Sequence, residues 1–151
     1  MSDSNNIFDP EKISIEEFKM IKGLVDVPEE FDITTIEGHH LDNSLQLGFN
    51  LIEKLVKADI LIEIKTKSRG QNIKEATGSF HLVFIYQVEN LEELAKPDEK
   101  NLIELHPGLA NALSSVTYST SRGILLTRLQ GTALQNFVLP IINPNKLLHK
   151  K

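Results

Sequence analysis

The sequence predicts an α+β fold in which a four-stranded antiparallel sheet has helices packed on one face. Apolar residues recur with a period of two through residues 45–88 and with a helical period from residue 109 onward. The polar connections between consecutive strands favour antiparallel pairing. At 151 residues the chain fits one domain. We assign a disordered lead to residues 1–10, a single domain to 11–148 and a basic tail to 149–151.

The first predicted strand is the least regular element. Apolar residues between 13 and 25 alternate with a slip, which predicts a bulged strand that ends before Pro28. An amphipathic helix at 15–22 is the alternative. The stretch Asp26 to Asp42 has six carboxylates and no Lys or Arg. It is predicted to be a loop or an acidic edge.

Three further runs alternate plainly and complete the four strands. They cover residues 45–51, 58–68 and 80–88, and the polar stretch 71–78 is predicted to join the last two as a hairpin loop. In the run 80–88 the second face is also apolar, so we expect this strand to be covered on both sides. Such a surplus of apolar surface indicates an interface or a binding groove.

Helical periodicity follows the strands. Asn90 is a candidate cap for a short helix at 91–95. Pro97-Asp98-Glu99 is a candidate start for a second helix, whose apolar side is Leu102, Ile103 and Leu105. The long helix is predicted at 109–123, ending at Gly123, with more helix in 124–138.

Charge is distributed unequally along the chain. The net charge is −5, but residues 105–151 hold no carboxylate and five of the 16 Lys and Arg residues. A helical region without carboxylates, rich in Ala, Leu, Ser and Thr, favours burial against other protein. We therefore predict that the long helix contributes Ala112, Val116, Ser119 and Thr120 to an interface between subunits.

Catalytic and metal chemistry find no support in the sequence. There is no cysteine, no Gly-x-Ser-x-Gly motif and no Gly-rich phosphate loop. His39, His40 and Asp42 form the single cluster with metal-ligand character, but adjacent histidines point apart in a strand or helix. We expect no catalytic residue, no metal site and no cofactor.

Other classes of partner are also disfavoured by composition. The basic groups are few and have few aromatic residues near them, which argues against nucleic-acid binding. No apolar run approaches the ~18 residues of a membrane span, and residues 1–6 do not resemble a signal peptide. We expect a cytoplasmic protein that does not insert into membranes.

Two segments after the alternating block resemble the SecB export-chaperone family. They are Tyr118 to Gly123, containing Ser-Arg-Gly, and Leu139 to Leu148, in which Ile141-Ile142-Asn143 stands where the family has Pro-Val-Asn. The resemblance implies an ATP-independent chaperone for non-native polypeptides, assembled as a homotetramer built as a dimer of dimers. Its clients would be unfolded chains or preproteins, bound in apolar grooves.

The resemblance also implies particular site residues. The family strand that borders the groove matches Leu45, Leu47 and Phe49, and the groove extends to three further apolar residues, giving the set Leu45, Leu47, Phe49, Leu51, Phe84 and Tyr86.

An acidic surface that docks the translocation ATPase SecA in the family matches Asp26, Glu29 and Glu30, but Gly23 replaces the family's preceding acid in this sequence. A SecA interaction is therefore expected to be weak and salt-dependent. Two alternatives stay open: a SecB-like chaperone dedicated to a toxin–antitoxin pair, and a small enzyme or ligand carrier of hot-dog build, whose sheet wraps a central helix.

Overall fold

A four-stranded antiparallel sheet forms the first layer of the molecule. In the computed structural model, which describes residues 7–149, the strands are β1 (Ile13–Asp26), β2 (Ile36–Asn50), β3 (Leu55–Ser68) and β4 (Thr77–Val88). Their order across the sheet is β1-β4-β3-β2. The two edges of the sheet are therefore the two strands that come first in the sequence. The predicted α+β class is confirmed.

The irregular alternation of β1 is a consequence of two bulges. Its register with β4 shifts between Ile15 and Glu17 and again between Met20 and Lys22. A bulge inserts one residue and so reverses which side chains face the core. The bulged strand was the correct prediction and the helix at 15–22 was not.

β2 begins nine residues before the run from which it was predicted. Residues 36–42, predicted as a loop or acidic edge, pair with the end of β3, for example Leu41 with Ile64. Polar residues such as His39 and Asn43 occupy positions on the core side and hide the alternation. The acidic stretch is an edge from Ile36 onward and a connection before it.

One of the two short predicted helices has a different structure. A short helix, α1 (Leu91–Leu94), is present, but the next segment is a hairpin of β5 (Ala95–Pro97) and β6 (Ile103–Leu105). The Asp98 carboxylate accepts bonds from the Lys100 and Leu102 amides at 2.8 and 3.0 Å. These bonds close a turn instead of capping a helix.

The long helix α2 (Pro107–Arg128) extends beyond the predicted end at Gly123. Gly131, with φ +79°, adopts the left-handed conformation instead, two residues after the final cap. The predicted helix at 124–138 is correct only for residues 124–128, because residues 129–143 form turns and irregular chain before a 3-10 helix at Pro144–His149.

α2 packs on the sheet through small side chains. Ser114, Thr117 and Ser121 are fully buried and recur at helical spacing. The hydroxyl of Thr117 and that of Tyr86 on β4 are 2.6 Å apart. Burial raises the pKa of Tyr86, and this hydrogen bond opposes the increase. Short hydroxyl side chains allow the helix to lie close to the aromatic residues of β4.

The segment after α2 completes the second layer. Tyr118 donates its hydroxyl to the Pro140 carbonyl at 2.5 Å, and Arg122 Nε donates to the Leu139 carbonyl at 3.1 Å. The guanidinium carbon also lies 5.3 Å from the centre of the Tyr118 ring. The Ser-Arg-Gly segment therefore fixes the C-terminal segment to the helix; it does not end the helix.

The first described residues are part of the packed structure. Residues 7–10 fall in the predicted disordered lead, whereas Ile7 and Phe8 pack against the core and Phe8 stacks on His106. Asn90 Nδ2 donates to the Ile7 carbonyl at 2.6 Å. Residues 1–6 of that lead, and residues 150 and 151 of the predicted basic tail, lie outside the described residues.

Candidate functional site

The six predicted groove residues divide between core and surface. Leu45, Phe84 and Tyr86 are 1–2% exposed and lie beneath the second layer. They cannot contact a bound chain unless that layer opens, so for these three the placement in a groove is corrected to the core. Leu47, Phe49 and Leu51 are partly exposed. Leu47 and Phe49 lie near the end of edge strand β2, and Leu51 lies in the turn that follows it.

Apolar side chains are also exposed along the other edge of the sheet. On β1, Ile15 is 49% and Phe18 is 42% exposed, although both pair with β4 residues whose side chains face the helix layer. Phe18 contacts Phe84 with ring centroids 5.1 Å apart. The helix layer thus covers β3 and β4 and leaves an apolar strip on β1 open. Exposed apolar side chains continue along this strand and the residue after it: Ile21, Leu24 and Val27.

The predicted subunit-interface residues lie on the outer side of α2. Val116 and Ser119 are exposed and Ala112 and Thr120 are partly exposed, whereas Thr117 between them is buried. Leu126 extends this outer surface and is 41% exposed. The open strip of β1 and the outer side of α2 offer apolar contact area for another protein surface.

The predicted acidic residues lie in a cleft at one end of the sheet. Asp26, Glu29 and Glu30 line a volume of about 710 Å³ between the β1–β2 and β3–β4 connections, together with Phe31 and Ile73.

Arg69 ties these two connections together. Its Nη2 donates to the Thr34 carbonyl at 3.1 Å, and its amide donates to the Thr35 carbonyl. Hydrogen bonds from the Thr34 hydroxyl and amide lower the pKa of Asp32. The structure thus brings the three predicted acids together in one cleft.

Glu75 fixes the other wall of this cleft. Its carboxylate accepts from the Ser68 hydroxyl at 2.7 Å, the Ser68 amide at 2.9 Å and the Thr66 hydroxyl at 3.0 Å. These bonds lower the pKa of Glu75, the Ser68 hydroxyl having the largest effect. Glu75 was not predicted from the sequence, because one Glu in a polar loop does not reveal a hydrogen bond across nine residues of chain.

The two adjacent histidines are separated by the strand, as their spacing predicts. His39 contacts Phe137 edge-on, with ring centroids 5.3 Å apart, and His40 is exposed. The buried Nε2 of His39 has no hydrogen-bond partner, and burial lowers the pKa of this imidazole. Within residues 7–149 no group of three or more His, Cys, Asp or Glu side chains is placed to hold a metal ion.

Acidification is expected to destabilise the contact between His39 and Phe137. The unfolded chain takes up a proton near pH 6.5, whereas the folded protein holds His39 neutral to lower pH. The contribution of neutral His39 to the free energy of unfolding is therefore complete above about pH 6.5. It decreases as the pH falls below that value. We expect His39→Gln to reduce the decrease in Tm between about pH 7.5 and 5.5. His40→Gln is the matched control, and an equal effect of both variants would contradict the assignment.

Comparison with known proteins supports the fold and leaves the family open. No protein-family model matches the chain, and no curated protein matches its sequence. A solved structure of the Mycobacterium tuberculosis Rv1957 SecB-like chaperone, in complex with a ChAD peptide from the HigA1 antitoxin, matches with TM-score 0.61 at 14% identity. The match covers 87% of this chain and 92% of that chain. A Streptococcus agalactiae protein of unknown function matches with TM-score 0.32 at 11% identity, covering 85% and 97%.

The α+β sheet-and-helix architecture defines a fold class, and within that class the fold is SecB-like. One protein with a matching fold is a SecB-like chaperone. In the part of the chain that the structure describes, no helix is long and apolar enough to cross a membrane.

Proposed function

We propose that this protein is an ATP-independent chaperone that binds non-native polypeptides, and that it is not an enzyme. The observation that carries the proposal is the apolar surface left open at both edges of a SecB-like sheet. At β2 it comprises Leu47, Phe49 and Leu51, and at β1 it includes Ile15 and Phe18. Apolar side chains on an edge suit an extended chain, whose backbone and side chains are both free to contact it.

The two open surfaces serve different purposes in this proposal. Ile15 and Phe18, together with the outer side of α2, form contacts between subunits of a homotetramer arranged as a dimer of dimers. Leu47, Phe49 and Leu51 remain available in that assembly and bind the client. The cleft of Asp26, Glu29 and Glu30 docks SecA weakly at most. The reason is that Gly23 stands where the SecB family has a further acidic residue.

Two kinds of client fit this surface. One is a range of preproteins kept unfolded for export from the cytoplasm. The second candidate is a dedicated partner, as for a chaperone of a toxin–antitoxin pair. It is favoured by the matching structure, in which a SecB-like chaperone holds a peptide from an antitoxin.

The proposal is tested by suppression of aggregation. The purified protein is mixed with a chemically unfolded test protein that scatters light on dilution, with and without ATP. We expect suppression at about one assembly per test chain, unchanged by ATP. Bovine serum albumin at equal mass is the control for non-specific protection. No suppression beyond that control would reject a general chaperone, and retention of a single co-purifying partner would then assign the dedicated role.

A further inference from the structure

The described residues begin with two apolar side chains that lie across the start of α2. Ile7 and Phe8 stand outside the sheet, because the pairing of β1 with β4 begins at Ile13. A 3-10 turn at Pro10–Lys12 separates them from the strand. Both side chains pack against the core, although each remains partly exposed. We call Ile7 and Phe8 the N-terminal strap.

The surface beneath the strap offers a ring to stack on and a position without a side chain. The Phe8 ring stacks on that of His106, with centroids 5.9 Å apart and 18° between the planes. A Cβ added at Gly108 would lie 3.0 Å from Cδ2 of Phe8, so the ring occupies space that the glycine leaves free. His106 is held in place, because its Nδ1 accepts a hydrogen bond from the Gly108 amide at 3.0 Å. This surface therefore suits a flat ring.

Asn90 binds the backbone of the strap. Its Nδ2 donates to the Ile7 carbonyl at 2.6 Å and to a Glu93 carboxylate oxygen at 3.1 Å. Asn90 is 7% exposed, and among residues 7–149 its buried Oδ1 has no hydrogen-bond partner. An extended chain that offered both a backbone carbonyl and a backbone amide would satisfy both ends of this side-chain amide. The strap satisfies one end, so it is an incomplete ligand for this surface.

The strap lies at the same end of the sheet as the proposed client surface. Lys54 comes three residues after Leu51, and its carbonyl accepts a hydrogen bond from the Val88 amide at 3.0 Å. Its Nζ also pairs with Glu92, 3.6 Å away. The turn that carries Leu51 therefore contacts the same short segment that holds the strap through Asn90.

We propose that the strap is an autoinhibitory contact. Its site, formed by Asn90, His106 and Gly108, takes an apolar residue followed by an aromatic residue from an extended segment of a bound polypeptide. This inference rests on the proposed function and adds a second site to its client surface. The strap indicates the ligand class, because its own apolar–aromatic pair meets this surface through a ring and a backbone carbonyl.

Covalent attachment decides which polypeptides displace the strap. A segment tethered by a short linker competes at an effective concentration of roughly millimolar. A short free peptide that binds no other part of the protein is therefore excluded. A long unfolded chain that also contacts Leu47 and Phe49 gains the same advantage of attachment and replaces the strap.

A peptide copy of the strap tests whether the site takes a chain that is not attached. The probe is a labelled peptide with the sequence of residues 4–10, and its binding is measured by fluorescence anisotropy. Phe8→Ala weakens the attached strap, so we expect this variant to bind the probe about tenfold more tightly than the wild-type protein does. A probe with alanine in place of both Ile and Phe should not bind. Equal affinities of the wild-type protein and Phe8→Ala would overturn the proposal.

Two further variants separate the site from general effects. Ile33→Ala truncates a 52% exposed side chain at the opposite end of the sheet and should leave the affinity for the probe unchanged. Gly108→Ala, added to Phe8→Ala, fills the space that the ring of the probe needs and should abolish the gain. Circular dichroism would verify that each variant is folded. A gain that persists in the double variant would overturn the assignment of the site.

A tryptophan reporter follows the strap itself. The chain has no tryptophan, so Phe8→Trp introduces a single emitting side chain beside His106. A chemically unfolded test protein that lacks tryptophan should displace the strap and shift this emission to longer wavelength. Ile33→Trp is the matched control, and its emission should not change. Suppression of aggregation without a shift at Phe8→Trp would overturn displacement of the strap.

Failure of this inference is distinguishable from failure of the chaperone function. If the wild-type protein suppresses aggregation but Phe8→Ala binds the probe no more tightly, the client binds elsewhere and the inference is wrong. If Phe8→Ala binds the probe tightly but neither protein suppresses aggregation, the site stands without the chaperone role. If Phe8→Ala lowers the oligomer mass and Ile33→Ala does not, the strap is a contact between copies, and the proposal is overturned.

Discussion

Replacing Phe84 by alanine is expected to destabilise the fold by about 3–5 kcal/mol. The side chain is 1% exposed and lies between the rings of Phe18 and Tyr86, with centroids 5.1 and 6.2 Å away. Truncation leaves a cavity that the surrounding strands cannot fill by small shifts. Since a typical domain is stable by about 5–15 kcal/mol, urea unfolding should show a large decrease in midpoint.

Phe49→Ala is the matched control for this prediction. Phe49 is partly exposed at the edge, so its truncation should cost about 1–2 kcal/mol of stability and act mainly on suppression of aggregation. If Phe49→Ala destabilised the fold as much as Phe84→Ala and left suppression per folded molecule intact, Phe49 would belong to the core. The client surface would then lie elsewhere.

Replacing Val116 by glutamate is expected to halve the mass of the assembly. We predict that the wild-type protein scatters light as four chains of 17.0 kDa each. Val116 is 42% exposed in the middle of α2, in a region without carboxylates, so a glutamate there would be buried without a partner in an interface between dimers. The contact between subunits through β1 should remain intact, so we expect the variant to be a dimer.

Gln135→Glu adds the same charge at an exposed position outside α2 and should leave the mass unchanged. The monomer fold should be preserved in both variants, which circular dichroism would verify. A wild-type protein that scatters as a single chain at micromolar concentration would reject the tetramer, and with it the subunit contacts proposed for the exposed residues of β1.

Regular elements were predictable where packing and sequence pattern agree. The alternation through 45–88 predicted β3 and β4 closely, because every second residue of these strands lies in the core. Residues 36–42 were predicted only as a loop or an acidic edge, because polar residues such as His39 occupy core-side positions that are usually apolar. The hairpin of β5 and β6 was missed because Asp98 suits either a turn or a helix start, and long-range packing decides between them.

The site was only partly predictable for a related reason. Alternation indicates which face of a strand a residue occupies, but it does not indicate how far the second layer extends over that face. Leu45 and Phe49 lie on the same face of β2, and only Leu45 is fully covered. The role of Arg122 likewise depends on the Leu139 carbonyl, 17 residues further along, which no local pattern reveals.

The order of strands also has a consequence for synthesis on the ribosome. β1 is made first, yet its partner is β4, so that Ile13 meets Val88 only after the intervening strands exist. At about 5–20 residues per second, β1 remains without a partner for roughly 4–15 s. The hairpin of β2 and β3 can form during that interval, because its contacts are local. A copy in translation therefore exposes the apolar side chains of β1 until β4 has been synthesised.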